Sequence, residues 1–370
     1  MSRNFTCEKD TNDMLFIVHH CCFAQLRTDN VIIVTLDGFR WQELFSGADP
    51  TMLFNKEFCS NSEVQQQFWD SSALRRREKL LPFFWNVIGK EGQLYGNRNL
   101  NNRVNCSNPH WFSYPGYSEM FTGLVDKRVR SNDSIVNPNY TVLEHINSQE
   151  RYRGKVAAFS TWEVIPYIIR AQEAGIFTKC GRETVTANRD SASNKMSLEL
   201  QRIFRDSVEA EEDFSTFYSA FNYLKKERPK VLYIGFDKTD EHAHVGDYDQ
   251  YLRSAFATDR MIQELWTWIQ TTEDYKDKTT LILTTDHGRG KKIHRWKKHG
   301  RHIFGSGQMW FAVIGPDTPA QGEIKTKGKY YQKQFAKTIA SFIGLEYSNT
   351  KEVGSRIYGM TISNRVATGN

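Results

Sequence analysis

The amino-acid sequence predicts an α/β fold, a three-layer sandwich in which helices flank a central, mostly parallel β-sheet. Five short apolar runs rich in β-branched residues have the length and composition of buried strands. Helical patterns lie between these runs, and strands that alternate with helices are typical of such sandwiches. The chain has 370 residues without an internal repeat or a Pro/Gly-rich linker, so we expect a single domain over residues 28–370.

The five predicted strands are almost uninterrupted in hydrophobicity, which indicates that both faces of the sheet are covered. They lie at residues 31–36, 155–160, 231–236, 280–285 and 310–315. The clearest predicted helices are residues 248–268 and 332–345. In the first of them, Tyr251, Leu252 and Ala255 follow the spacing that places apolar side chains on one face of a helix.

Two segments break the alternation of strands and helices. Residues 46–97 follow the first strand with mixed charges and aromatics, and residues 161–192 follow the second strand with several turn-forming residues. We expect both to be insertions that form a small cap at one end of the sheet.

The N-terminal stretch resembles a secretory signal. Residues 14–25, MLFIVHHCCFAQ, are a short apolar run that ends in small residues. We expect residues 1–27 to be a signal peptide or a disordered N-terminal extension, and the mature protein to be exported, periplasmic or extracellular. No later segment has the roughly 20 apolar residues of a membrane-spanning helix, so no integral membrane segment is expected in the mature chain.

Charge and cysteine content restrict the class of protein. The formal net charge is +6 and no long arm of Lys and Arg carries it, so a small anionic substrate fits and a nucleic-acid polymer is not implied. Three of the six cysteines lie in the N-terminal stretch, and the other three form neither a disulfide framework nor a thiolate zinc motif. A metal ion would therefore be bound by His and carboxylate side chains. The sequence does not indicate an oligomeric state.

Three of the predicted strands end in Asp, or in Asp and His. Asp37-Gly38 follows the first strand, and Asp286-His287 with Gly288 follows the fourth. In an open α/β sheet, ligands collect beyond the carboxyl ends of the strands. A lone Asp at such a position also caps helices and starts turns, so Asp37 alone indicates little. The adjacent Asp and His are a candidate metal-binding pair.

The segment after the third strand, DKTDEHAH, spans residues 237–244. Asp240 and His244 are four residues apart, which places a carboxylate and an imidazole on one face of a helical turn, where both can bind one metal ion. Asp237 is a competitor that can instead cap the helix. His242 lies off the Asp240 face, as expected for a surface residue or one that supports the site from outside.

Two further segments contain candidates for another histidine ligand and for a nucleophile. The basic loop at residues 288–301 contains His294 and His299, with His302 just beyond it, and most of its charges are expected to be solvated. The segment WFSYPGYSEMFTG contains Ser113 and Ser118. A serine at the start of a helix lies beside backbone N–H groups that bind anions, although a helix cap is the commoner role.

Five sequence motifs follow one another along the chain. They are a strand with Asp37-Gly38, a Ser-aromatic-Pro segment ending in Thr-Gly, Asp-x-x-x-His, Asp-His-Gly, and a late His. This order resembles the alkaline phosphatase superfamily, and the nearest branch is the type I phosphodiesterase and nucleotide pyrophosphatase group. The resemblance spans residues 30–318.

The resemblance implies a metal-dependent phosphoester hydrolase with two divalent ions, zinc or manganese, and a seryl-phosphate intermediate. Its motif spacing selects Ser113 as the nucleophile, with Ser118 as the alternative, and Asn132 as the residue that holds a phosphate oxygen. His294 and His302 remain alternatives for the late His. The implied ligands are Asp240, His244 and His299 for one ion, and Asp37, Asp286, His287 and the oxygen of Ser113 for the other.

Other functions share parts of this pattern. A phosphomonoesterase of the alkaline phosphatase type could use the same site, with residues 291–301 supplying extra positive charge. A sulfatase is disfavoured because the Cys or Ser followed by x-Pro-x-Arg is absent. A phosphosugar mutase shares the ligands, but the predicted export signal argues against it. A non-catalytic binding module would be expected to have lost ligands, whereas all seven positions hold competent residue types.

Overall fold

The computed structural model describes residues 26–181 and 211–361. Residues 1–25, which make up most of the predicted signal peptide or extension, lie outside the described residues, as do residues 182–192 of the second predicted insertion. Within the described part of the chain, no helix combines the length and the apolar character needed to cross a membrane.

The strands belong to two sheets, and the larger one forms the centre of the molecule. In chain order the strands are β1 Asn30–Leu36, β2 Gln93–Tyr95, β3 Asn102–Asn105, β4 Val156–Ser160, β5 Phe177–Cys180, β6 Val231–Phe236, β7 Thr279–Thr284, β8 Gln308–Met309, β9 Phe311–Ile314, β10 Gly322–Glu323 and β11 Gly328–Tyr331. Among the described residues, the central sheet has the order β10-β2-β9-β7-β1-β6-β4-β5, and the small sheet has the order β11-β3-β8. From β7 to β5 all neighbouring strands are parallel, while β9 is antiparallel to both β7 and β2.

Helices connect the strands and cover the sheet. They are α1 Trp41–Ser46, α2 Pro50–Leu53, α3 Ser62–Phe68, α4 Ala73–Leu80, α5 Gly89–Glu91, α6 Ser113–Thr122, α7 Val142–Ser148, α8 Ile165–Ile168, α9 Ala171–Ala174, α10 Glu211–Glu227, α11 Lys238–Val245, α12 Tyr248–Thr271 and α13 Phe335–Phe342. A π-helical turn, Phe84–Ile88, directly precedes α5.

Apolar side chains cover both faces of the central sheet. In β1, Ile32 and Val34 belong to one hydrophobic cluster, and Val31 and Ile33 belong to the other. Successive side chains of a strand point to opposite faces, so this division places one helical layer on each side of the sheet. The predicted three-layer α/β sandwich with a mostly parallel sheet is confirmed.

The structure differs from the sequence predictions at element ends and in one connection. The helix predicted at residues 332–345 begins as a 3₁₀ turn, Gln332–Gln334, and its α-helical part is α13. The segment 46–97 contributes Leu53 and Phe84 to the hydrophobic cluster on one face of the sheet, and its residues Gln93–Tyr95 form β2 inside the sheet. A strand of three residues is too short to show a recognisable pattern, which is why the sequence does not reveal β2.

Candidate active site

The carboxyl ends of three adjacent parallel strands meet at the candidate site. Strand β1 lies between β7 and β6, so the residues that follow these strands must be neighbours. Asp37 follows β1 directly, Asp286 is the second residue after β7, and Asp240 lies in the first turn of α11, which follows β6. Ligands in open α/β sheets bind at this edge.

One group of potential ligands contains Asp37, Asp286 and His287, all of them buried. The Nε2 atom of His287 lies 3.4 Å from Asp37 Oδ1 and 3.5 Å from Asp286 Oδ2. Its Nδ1 atom is 2.9 Å from the Gly288 carbonyl oxygen. Because a carbonyl only accepts hydrogen bonds, Nδ1 carries the proton and the Nε2 lone pair faces the two carboxylates.

A second group contains Asp240, His244 and His299. His244 Nε2 is 2.9 Å from Asp240 Oδ2 and 2.9 Å from His299 Nε2, so three potential ligand atoms converge. The Nδ1 atom of His299 faces the Trp111 carbonyl oxygen at 3.3 Å, which leaves its Nε2 lone pair for the site. His287 adjoins this group too, with its Nε2 atom 3.9 Å from Asp240 Oδ1.

The other two histidines of the basic loop lie elsewhere. His294 and His302 are both exposed to solvent, whereas His299 is mostly buried between His244 and His287. The structure therefore brings His299, rather than either alternative, to the two ligand groups.

The site disfavours charge in both its acids and its imidazoles. Burial raises the pKa of Asp286 to about 7. Burial, together with the neighbouring Asp286 carboxylate, raises the pKa of Asp37 well above its ordinary value. Burial likewise lowers the pKa of His287 and of His299, so both imidazoles are neutral, which is the form that binds metal ions.

Ser113 is the first residue of α6 and faces these groups. Its Oγ atom lies 3.4 Å from His287 Nε2. The approach of α6 to the strand ends depends on Gly116, because a Cβ atom there would lie only 2.5 Å from the backbone oxygen of Asp286. From the next turn of the helix, the Tyr117 hydroxyl donates a hydrogen bond of 3.1 Å to Asp37 Oδ2. Helix α6 thus places Ser113 beside the carboxylates and orients one of them.

The start of α6 is fixed by two polar side chains. Asn132 Oδ1 accepts a hydrogen bond of 2.9 Å from the backbone N–H of Tyr114. Glu119 accepts hydrogen bonds from the backbone N–H groups of Ser107 and Asn108, at 2.8 Å each, and ties the preceding loop to the helix. Hydrogen bonds therefore hold the backbone both before and after Ser113.

A cavity of about 860 Å³ opens in front of Ser113 and Asn132. Its other lining residues come from the ends of β4 and β6 and from the loop after α6. They are Asp133, Ser134, Trp162, Glu163, Val164, Asp237, Asp240 and Glu241. Ser113 and Asn132, which the sequence places 19 positions apart, thus share one cavity with the potential ligand Asp240.

Three other candidate residues from the sequence lie outside the two ligand groups. The Ser118 hydroxyl accepts a hydrogen bond of 2.9 Å from Asn137, at a distance from the ligand groups along α6. His242 is buried and belongs to neither ligand group. Asp237 precedes α11, but its side chain makes no capping hydrogen bond. Asp213 of α10 accepts from the N–H groups of Asp237 and Lys238 instead, at 3.0 and 3.1 Å.

Arg289 is a residue of the site that the sequence motifs do not identify. It is almost fully buried, and its Nη1 atom donates a hydrogen bond to Asp240 Oδ1. Its Nε and Nη2 atoms donate to the backbone oxygens of Trp296 and Lys297, at 2.8 and 2.7 Å. Most charges of the basic loop were expected to be solvated, and Arg289 is an exception. Its position two residues after His287 was the signal that could have identified it.

The donor atoms present fit divalent metal ions. Asp37 Oδ1 and Asp286 Oδ2 are buried and accept no hydrogen bond from the described residues. A buried carboxylate oxygen without a partner is costly, and a bound cation removes that cost. Carboxylate oxygens with neutral imidazoles form a donor set that zinc commonly takes.

Comparison with known proteins agrees with the geometry. The sequence matches the family model described as type I phosphodiesterase / nucleotide pyrophosphatase over residues 49–295. Asp37 and His299 lie outside those bounds, and the structure brings them to the residues inside. No curated protein sequence matches the chain significantly.

Solved structures with the same fold share little sequence with this chain. Alkaline phosphatase PafA has a TM-score of 0.56 at 10% identity, over 91% of this chain and 99% of PafA. Phosphonate monoester hydrolase of Agrobacterium radiobacter has a TM-score of 0.56 at 10% identity, over 92% and 79% of the two chains. A protein in the alkaline phosphatase superfamily from Vibrio parahaemolyticus has a TM-score of 0.50 at 12% identity, over 90% and 70%. At such identities the likeness shows the fold alone.

Proposed function

Because the chain belongs to the type I phosphodiesterase / nucleotide pyrophosphatase family of the alkaline phosphatase superfamily, we propose that it hydrolyses small phosphodiesters with Ser113 as the nucleophile. It is a hydrolase of phosphoric ester bonds. The observation that carries the proposal is the position of Ser113. This residue lines a cavity, and its hydroxyl oxygen lies 3.4 Å from His287 Nε2, beside the two groups of carboxylates and imidazoles.

Two divalent ions, zinc in the first instance and manganese as the alternative, complete the proposed site. Asp37, Asp286 and His287 would hold one of them together with the oxygen of Ser113. Asp240, His244 and His299 would hold the other. Bound ions would supply positive charge that favours the deprotonated serine oxygen and offsets the negative charge of the phosphoryl oxygens.

The residues of the chain have distinct roles in the proposed reaction. The Ser113 hydroxyl gives up its proton to water, and its oxygen attacks phosphorus in line with the leaving alcohol, so that an O–P bond to the serine forms as the bond to the alcohol breaks. The departing oxygen takes a proton from water. Asn132 can donate a hydrogen bond to a phosphoryl oxygen, because its Oδ1 atom already accepts from Tyr114 and its amide nitrogen remains as a donor. Water then hydrolyses the phosphoserine and restores the hydroxyl.

The charge of the cavity favours a diester over a monoester. Among the described residues that line it, none is Lys or Arg, while Asp133, Glu163 and Asp237 are acidic. A phosphate diester carries one negative charge, whereas a monoester carries up to two near neutral pH. No residue of the basic loop is among the described residues that line this cavity, and Lys291 lines another one. The monoesterase alternative is therefore the weaker one.

A parallel assay tests the substrate class. The full chain with added zinc is given bis(p-nitrophenyl) phosphate, p-nitrophenyl phosphate and p-nitrophenyl sulfate, and kcat/KM is measured for each. We expect the diester to have the highest value and the sulfate ester the lowest. A higher value for the monoester would replace the diesterase proposal with the monoesterase. Absence of EDTA-sensitive hydrolysis of all three would contradict the proposed function.

A matched pair of variants tests the nucleophile. Ser113→Ala should lose turnover while it retains bound zinc, because the carboxylates and imidazoles of the site are unchanged. Ser118→Ala, in the same helix but bonded to Asn137, is the control and should remain active. Normal activity of Ser113→Ala would exclude the assignment.

A further inference from the structure

A second cavity, of about 490 Å³, lies between β3 and the loop that carries His299. It has no lining residue in common with the cavity in front of Ser113. Trp111 links the second cavity to the candidate active site. It lines the cavity, and its backbone oxygen lies 3.3 Å from His299 Nδ1. The volume falls within the range of roughly 300–1,000 Å³ that is typical of small-molecule sites.

Three cations line this cavity without acidic partners. They are Arg98, Arg103 and Lys291, and the lining contains no Asp or Glu. Within residues 26–181 and 211–361, no carboxylate lies within ion-pair distance of these three side chains. The Nε atom of Arg98 is buried and has no acceptor. Burial, and then the neighbouring Arg103 guanidinium, lower the pKa of Arg98 to about 10, as expected for like charges that lack a counterion.

Aromatic rings form other walls of the cavity. The Trp41 indole is held by a hydrogen bond of 2.9 Å from its Nε1 atom to Gln308 Oε1. The Trp111 indole packs against Gly307, where a Cβ atom would lie 2.8 Å from Nε1. Phe304 also lines the cavity, and 74% of it is exposed to solvent. Two of these rings are therefore held in place, and the third is accessible to a ligand.

We propose that this second cavity binds a small organic phosphate with a flat ring. Arginine and lysine side chains hydrogen-bond phosphoryl oxygens with charge assistance, and the guanidinium of arginine can do so through two parallel bonds. The rings of Trp41, Trp111 and Phe304 can pack against a flat ring of the same ligand. The ligand would supply the negative charge that Arg98 and Arg103 lack. The site does not depend on hydrolysis at Ser113.

The test measures binding of 5′-AMP, with adenosine as the uncharged probe, to the zinc-loaded full chain by isothermal titration calorimetry. The Ser113→Ala background prevents turnover, and chromatography checks that the AMP stays intact. Arg103→Glu with Lys291→Glu reverses two exposed charges of the cavity. Lys56→Glu with Lys127→Glu makes the same change in net charge at exposed positions outside the cavity. Binding in front of Ser113 is common to both double variants, so their difference reports the second cavity.

We expect the cavity variant to weaken AMP binding about tenfold or more, and the control variant to bind AMP as the Ser113→Ala background does. Adenosine should bind at least tenfold more weakly than AMP. Equal AMP affinity and stoichiometry in the two double variants would overturn the proposal, as would adenosine binding as tight as AMP binding or no AMP binding at millimolar concentration. If Arg103→Glu with Lys291→Glu lowers the Tm, the milder Arg103→Gln with Lys291→Gln takes its place under the same criteria.

Discussion

The Arg289 guanidinium donates a hydrogen bond to Asp240, a carboxylate that the proposed metal site would use as a ligand. Two further hydrogen bonds tie Arg289 to the backbone of Trp296 and Lys297, just before His299. One buried side chain therefore connects a proposed ligand on α11 to the loop that carries another proposed ligand. Residues that orient metal ligands in this way strongly influence metal affinity.

Replacement of Arg289 should weaken metal binding and destabilise the fold. Arg289→Ala leaves Asp240 without its partner and frees the loop before His299, so we expect zinc affinity to fall about 10–100-fold. Loss of one member of a buried ion pair should also cost on the order of 3 kcal/mol of unfolding free energy. Chelator competition measures the affinity, and denaturant unfolding measures the free energy.

Arg289→Lys is the matched variant, because it keeps the positive charge but cannot reproduce all three hydrogen bonds. We expect values between those of the wild type and Arg289→Ala. Zinc affinity and stability equal to the wild type in Arg289→Ala would show that this residue does not orient the ligands.

Removal of the late histidine should reduce the metal content. His299→Ala removes a ligand atom that lies 2.9 Å from His244 Nε2, so we expect close to one zinc ion per chain in place of two after dialysis. His302→Ala is the control, since His302 is exposed, and it should retain both ions. Elemental analysis of the two proteins provides the measurement. Equal zinc content in both variants would return the ligand role to another residue.

Two variants distinguish the structural role of Asn132 from its proposed role in binding substrate. Its Oδ1 atom holds the start of α6, and its amide nitrogen is the proposed donor to a phosphoryl oxygen. Asn132→Ala removes both, and we expect kcat/KM for a diester to fall by about 10²-fold. Asn132→Asp keeps the acceptor for Tyr114 but replaces the donor with a negative oxygen, so it should be at least as impaired. Activity restored in Asn132→Asp would mean that the residue only holds the helix.

Asp259, which lies outside the active site, should make the free energy of unfolding depend on pH. This buried carboxylate on α12 accepts hydrogen bonds of 2.8 Å from the N–H groups of Phe83 and Phe84, and burial raises its pKa to about 7. An acid whose pKa rises on folding stabilises the folded state below its unfolded pKa of about 4, and this contribution is lost as the pH rises through about 7.

The shift of about three pKa units sets an upper limit of about 4 kcal/mol on this effect. We expect Asp259→Asn to show a smaller loss of unfolding free energy between pH 5 and pH 8 than the wild type, as measured by denaturant titration. Glu273→Gln, at an exposed position, should keep the wild-type pH dependence. Parallel pH profiles for the wild type and Asp259→Asn would exclude this role.

The amino-acid sequence is sufficient to predict the architecture and the edge of the sheet where the candidate site lies. Continuous apolar runs predicted the central strands, because a strand covered on both faces needs apolar side chains at successive positions. The residues Asp37, Asp240 and Asp286 could be identified because each follows such a strand within a few positions. In a parallel sheet with helical connections, these strand ends lie at one edge.

How the loops meet at that edge depends on contacts between distant parts of the chain, which the sequence does not reveal. Nothing local distinguishes His299 from His294 or His302, since the difference is contact with His244, 55 positions away in the chain. The buried position of Arg289 likewise depends on Asp240, and Asp213, rather than Asp237, caps α11 from another helix. Hydrophobic runs are local features of a sequence, whereas the conformation of a polar loop depends on partners brought from distant parts of the chain.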